Sequence, residues 1–429
     1  MPFGRSPLKV NEVFGVSNSV LKDSYVDRGA LDGKLKRLLK RRSHLALKGA
    51  SKSGKSWLRQ TLMPDAIVVQ CRLNKTVLDI YREALGELGI RLEVNSVASS
   101  SFTGTVEATA EVGVTLLAKV MGKLGYQATT GDVTTTEPVS RDVNDLRFIA
   151  DLILESGRRL VIEDFHYLSR DERQKFAFDL KALWDFGVFV VVIGVWSDSN
   201  YLLHLNPDLT ARIREESIVW SKADLEKIFT SGGAALGLDF SEEVRARAVE
   251  DAYGNAGILQ RLIADLLDEV GVEEQAPGTI RVDDLSALEH AELFYADELN
   301  SVYQTFANRV SAGIRNRQNA TGIYAHALAV ALDASDDDLI QGVSIDRIFA
   351  QARAREPRII KGNLRTALGR IESMQVDEAG RGLVLSYAEE RVRVVDRQVL
   401  LYRKYRTVKW PWEEMIQEAE QLGEAFTDA

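Results

Sequence analysis

Apolar positions run without interruption in three short stretches: His44–Leu47, Leu160–Ile162 and Val188–Ile193. Short runs of this kind with no polar alternation predict strands buried on both faces, as in a parallel sheet covered by helices. Between and around them the spacing is helical. Leucines at 35, 38 and 39 in the basic run Lys34–Arg42 predict an amphipathic helix with its charges in solvent, and Trp57, Leu58 and Leu62 predict another helix behind the first strand. From about residue 95 to 138 this spacing lapses into Ser, Thr, Gly, Ala and Val, which marks an insertion. Within it, residues 105–114 alternate with period two and predict a strand, and Thr115–Leu124 predicts a short amphipathic helix. Its small, apolar character suits subunit packing, a membrane surface or a loop.

After His290 the pattern is helical again. From Gly322 it reads as three helices, Gly322–Asp333, Ser344–Ala352 and Lys361–Ser373, and then as two strands, Met374–Tyr387 and Arg391–Asp396. Asp377–Gly382 is expected to turn a hairpin with Arg381 at its tip.

Composition narrows the class. The chain has 429 residues, 45% hydrophobic and 27% charged, enough for two or three globular domains and too apolar for a disordered protein. A single cysteine, Cys71, excludes an intrachain disulfide or a cysteine-rich zinc site, and five histidines form no compact ligand pattern. No signal-peptide core and no charge-free apolar run of about 18 residues is found, so a cytoplasmic protein with no membrane span is expected. The net charge is −9, yet Gln341–Lys409 holds 15 Lys and Arg against 8 Asp and Glu, which places the basic footprint near the C-terminus.

The candidate chemistry begins behind the first apolar run. Gly49, Gly54, Lys55 and Ser56 satisfy G-x-x-x-x-G-K-[ST] between a strand and a helix. Glycines let backbone N–H groups close around phosphates, and the helix N-terminus adds a favourable dipole. Ser53, Gly54, Lys55, Ser56 and Trp57, with Gly49, form the expected nucleotide site. Lys55 pairs with the β- and γ-phosphates, and Ser56 offers its hydroxyl to Mg²⁺. The second apolar run ends in Glu163 and Asp164: Glu163 is expected to hold Mg²⁺ and Asp164 to activate a water. The order Glu-Asp reverses the usual Asp-Glu and shortens the base, which leaves slow turnover or a nucleotide switch open. The third run ends at Gly194, where Ser197 or Asp198 is a candidate γ-phosphate sensor or a plain loop residue.

These pieces resemble an AAA+ ATPase of the branch that contains replication-initiator-like, transposition-helper and STAND-type proteins. The resemblance rests on Ser24–Gly29, the P-loop, Glu163–His166, Pro207–Ile213, the lid start Ser221–Ile228 and Tyr253–Gly257. It implies an α/β P-loop NTPase parallel sheet with a helical lid, followed by a winged-helix domain. It implies ATP with Mg²⁺ as cofactors, and Arg212 or Arg214 as an arginine finger reaching a neighbouring subunit, hence a homo-oligomer. Arg28 falls near the base or ribose or starts a helix, and Arg261 stands where a sensor arginine is displaced or missing.

The resulting domain plan is 1–220 for the nucleotide-binding core, 221–290 for the lid, 291–410 for a helical linker and winged helix, and 411–429 for an acidic tail. Arg358, Lys361, Arg365 and Arg381 are candidates for contact with duplex DNA, with the third helix in the major groove. A winged helix that folds back on the core or contacts a protein effector is the competing reading. The function expected is ATP hydrolysis in a DNA-associated regulator or loader, of the kind used in replication, mobile elements or antiviral defence. The alternative is a slow signalling switch that oligomerises and controls an effector without DNA.

Overall fold

The structure is a computed structural model, and it describes residues 6–98, 101–108, 110–123, 138–139, 146–196, 199–312, 322–376 and 382–417. Ser197, Asp198, Arg381 and the end of the acidic tail lie outside them. The chain forms two compact units, one of residues 28–49 and 55–218, the other of residues 1–27, 50–54 and 219–429.

The first unit is built on five parallel strands: β1 (His44–Lys48), β2 (Ile67–Gln70), β3 (Leu160–Glu163), β4 (Val191–Gly194) and β5 (Ile213–Ser217). Their order across the sheet is β2-β3-β4-β1-β5. Successive residues of one strand serve opposite layers, as the two-residue period of a strand requires. Leu45, Leu47, Val161 and Val191 pack with Leu35, Leu38 and Leu58 on one side, whereas Ala46, Leu160, Ile162 and Val192 join the core on the other. Both faces are buried, which is why these strands read as unbroken apolar runs.

His44 is structural. The Val190 N–H donates to Nδ1, so the proton sits on Nε2 and is donated to the Leu180 carbonyl. Burial pushes its pKa down to about 4, and the ring stays neutral while tying β1 to its neighbours.

In the insertion, strands Ile90–Ala98 and Ser101–Ala108 pair antiparallel, and Pro138–Val139 pairs with the second. The strand expected across 105–114 ends at Ala108, and the helix starts at Glu111 rather than Thr115. Leu116 and Val120, four apart, both bury. That helical register overrides the local two-residue alternation.

The second unit is largely helical. Lys222–Leu236, Glu242–Asp251 and Ala256–Glu269 are each opened by a side chain that accepts N–H groups of the first turn: Ser221, Ser241 and Asn255. A long helix, Leu285–Ala312, follows. Beyond residue 322 come helices Ile323–Asp333, Asp336–Gln341, Ile345–Arg355, Lys361–Leu368 and Ile371–Gln375. A three-stranded antiparallel sheet accompanies them, with Arg391–Val394 between Val343–Ser344 and Leu385–Ala388. Helix Gln398–Tyr405 then leads to Trp410 and Trp412, which are buried and stacked 4.8 Å apart.

One expectation for this region is corrected: Met374 and Gln375 are helical rather than extended. The strands Leu385–Ala388 and Arg391–Val394 turn at Glu389–Glu390, both at positive φ, and the turn expected at Asp377–Gly382 lies, up to Arg381, outside the described residues. The reason for the helix lies in the buried Gln375 amide. Its Oε1 accepts from the Val384 and Leu385 N–H groups, and its Nε2 donates to the Leu385 and Ile371 carbonyls. A side chain thus does the pairing that a strand neighbour would do. Gln375→Ala is therefore expected to strand buried backbone groups and lower stability by about 2–3 kcal/mol, measured by urea unfolding. A change below about 0.5 kcal/mol would show that water replaces the amide without loss.

Candidate functional site

The phosphate loop follows β1. Lys55 opens helix Lys55–Leu62, and its Nζ donates to the Gly49 carbonyl at 3.0 Å. Gly54 stands at φ +81°, a left-handed conformation in which any side chain would be strained. Because the helix begins immediately after it, the first-turn N–H groups are presented at the loop. Ser56 is exposed there and Trp57 half-buried.

In the unit of the sheet, Glu163 ends β3 and lies in register with Gln70 of β2. It shares the strand face of Val161, whose layer includes Leu58 of the P-loop helix. One residue along that helix, Arg59 Nε meets Glu163 Oε1 at 3.0 Å, both side chains largely buried. Asp164 leaves the strand with φ 55° and ψ 35°, a left-handed conformation that aspartate tolerates better than most residues. Gln70 Nε2 donates to Asp164 Oδ2 at 3.0 Å.

Burial pushes the Lys55 ammonium down to about 8, and Asp164 and Glu163 pull it only part of the way back. Burial also acts on His166, near Asp164: it lowers the pKa to about 4, against the pull of Asp164, and holds the ring neutral. The Val195 N–H donates to its Nδ1 at 3.3 Å, so its proton is on Nε2. The Cys71 thiol is pushed up to about 12 by burial and is inert as a nucleophile.

In the other unit the loop's crown, residues 50–54, is held by residues far along the chain. Asn255 Nδ2 donates to the Ser51 carbonyl at 2.8 Å, and the Gly257 N–H donates to that of Lys52 at 3.0 Å. Trp220 Nε1 donates to the Ser53 carbonyl at 2.9 Å, and Lys52 Nζ donates to Gln398 Oε1 at 2.8 Å. A Cβ on Gly257 would lie 2.5 Å from the Lys52 carbonyl, so only glycine permits this approach. The Ser53 hydroxyl is buried with no hydrogen-bond partner among the described residues.

The donor set fits a magnesium nucleotide. A desolvated lysine, a hydroxyl on the same helix turn and two carboxylates at the adjoining strand end are the groups such a ligand needs. Lys55 would meet the phosphates, and Ser56 with Glu163 would hold the metal. Among the described residues no cluster of three or more His, Cys, Asp or Glu is placed to hold a metal.

Other expected residues take definite places. Arg212 lies over the Trp184 ring at 4.9 Å and donates to the Asp208 carbonyl, while Arg214 is exposed. Glu215 and Glu216 pair with Lys48 and Lys34. Arg28 is buried in an ion pair with Asp32, and Arg261 pairs with Asp265 and Glu298. Arg358, Lys361 and Arg365 are paired with Glu356, Asp346 and Glu390.

Arg59 and Gln70 escaped the reading of the sequence. Arg59 had a signal: it stands four residues after Lys55 and so shares its helix face. Gln70 had only its position at the end of an apolar run.

Sheet order, P-loop and acid-tipped strand make this an α/β fold with a parallel sheet and a phosphate loop. Among solved structures the chain is similar to an Aeropyrum pernix Orc1 protein in complex with DNA, at 12% identity and a TM-score of 0.36, over 89% of this chain and 92% of that one. It is similar to a STAND protein with a tetratricopeptide repeat sensor from Pyrococcus horikoshii, at 12% identity and 0.36, over 94% of this chain and 45% of that longer one. A third is the Thermotoga maritima RuvB Holliday junction branch migration motor, at 12% and 0.34, over 90% and 98%. No protein-family profile and no curated protein matches the chain. Among the described residues no helix is long and apolar enough to cross a membrane.

Proposed function

We propose that this chain is a magnesium-dependent ATPase whose bound nucleotide sets its assembly state and its hold on a partner. The observation that carries this reading is Lys55, desolvated at the head of the P-loop helix beside Glu163 and Asp164. Lys55 and the loop amides bind the phosphates, Ser56 and Glu163 place the metal, and Asp164 takes the proton of an attacking water. An arginine from a neighbouring subunit completes the site. Arg214 suits that role better than Arg212, which is occupied over Trp184.

The helices and three strands beyond residue 322 are read as a winged helix, with Lys361–Leu368 as the helix that enters a DNA major groove. On this reading the protein is a DNA-associated regulator or loader, with replication, mobile elements or antiviral defence as its setting. A second reading is favoured by one observation. The turn between the last two strands of that sheet is Glu389–Glu390, and Glu390 pairs with Arg365 of the helix read as entering the groove. Two carboxylates there oppose a phosphate backbone and suit a protein effector.

Size exclusion with light scattering, in no nucleotide, ADP, and ATP with Mg²⁺, each with and without duplex DNA, tests both. ATP-driven assembly with salt-sensitive co-elution of DNA, weakened by neutralising Arg358, Lys361 and Arg365, is the expected result of the first reading. Assembly without DNA turns the assignment to the effector switch. No response to ATP overturns both.

A further inference from the structure

Resting on the nucleotide reading above, we propose that Arg59 is a gate on the metal position: it occupies the Glu163 carboxylate when no nucleotide is bound, and Mg²⁺ must displace it. Arg59 lies one helical turn past Lys55 and three residues past Ser56, so its side chain shares a helix face with the phosphate-binding lysine and the metal-binding hydroxyl. Its Nε meets Glu163 Oε1 at 3.0 Å, and the two side chains are only 15% and 10% exposed. Glu163 therefore does not stand open as a metal ligand.

A buried carboxylate is held best by a charge that cannot be lost, and a guanidinium stays protonated throughout the physiological range. The pair is directional, because the planar donor fixes the carboxylate at the strand end. Metal entering alone would strip Arg59 of its anion and leave a buried guanidinium unpaired, which is costly. Metal entering with a polyphosphate brings new anionic oxygens to this end of the helix, so Arg59 exchanges one anion for another. The consequence is ordered binding: the metal is admitted only with the nucleotide, and the nucleotide alone already finds Lys55 and the loop amides. Arg59 is thus a positioning residue that acts through Glu163.

The test is nucleotide binding against free Mg²⁺, read by the fluorescence of a methylanthraniloyl ATP analogue, with no turnover required. Arg59→Met is expected to lower the Mg²⁺ concentration at half effect about tenfold, a change of about 1.4 kcal/mol. Arg59→Lys, which keeps a cation at this helix position, should fall between Arg59→Met and wild type. In a Glu163→Gln background the same Arg59 change should shift the midpoint by less than about twofold. Electron paramagnetic resonance of Mn²⁺ gives a second reading without nucleotide: Arg59→Met should bind the ion, and wild type should not. Thermal melting of each variant separates a misfolded protein from an altered gate. Equal Mg²⁺ midpoints in wild type and folded Arg59→Met, or a shift that survives in Glu163→Gln, would overturn the gate while leaving nucleotide binding intact. Wild type that fails to bind the analogue at any Mg²⁺ concentration overturns the nucleotide reading, and the gate falls with it.

Discussion

Lys55→Ala is expected to weaken nucleotide binding by about 100-fold or more while leaving the fold intact. The lysine is the one cation on the loop's own helix turn, and charge-assisted hydrogen bonds to phosphate in a desolvated site are each worth about 1.5–3 kcal/mol, enough for that loss. The same burial that makes it a strong phosphate ligand makes it a poor contributor to folding. Its pKa falls from 10.5 to about 8 in the native protein, so between these values the unfolded chain holds more protons than the folded one. Stability of the nucleotide-free protein should accordingly rise with pH from about 8 to 10.5, and that slope should vanish in Lys55→Ala. Fluorescent nucleotide titration and chemical unfolding at several pH values check the two halves. Binding within about fivefold of wild type would remove Lys55 from the site.

Asp164→Asn is expected to reduce phosphate release at saturating MgATP by about 100- to 1,000-fold, the usual range for loss of a general base, with nucleotide affinity changed less than about threefold. The asparagine preserves size and can still meet Gln70, so a drop in turnover alone would report the lost proton acceptor. Glu163→Gln should act differently, because it removes a metal ligand and the anchor of Arg59, and both affinity and turnover should fall. If Asp164→Asn retains turnover within about fivefold, the water is activated elsewhere, and the neutral His166 ring near Asp164 is the next group to change.

The sheet was legible because strands buried on both faces leave an unbroken apolar trace, as at 44–47, 160–162 and 188–193. The phosphate loop was legible because its chemistry is local: Gly49, Gly54, Lys55 and Ser56 all lie within eight consecutive positions. What spans long separations was not. Arg59 and Glu163 are 104 residues apart, Gln70 and Asp164 are 94 apart, and no spacing rule joins them. The turn between the last two strands was illegible for a different reason: Glu389 and Glu390 adopt positive φ without glycine or asparagine. There the strands' pairing, completed on one edge by Gln375, dictates the turn.

The crown of the phosphate loop has a consequence for the order of events during synthesis. Ser51, Lys52 and Ser53 are held by Trp220, Asn255, Gly257 and Gln398, so residues written near the start of the message are seated by residues translated about 170 to 350 codons later. A ribosome that has released only the five-stranded sheet carries the whole glycine-lysine motif without the groups that hold its crown.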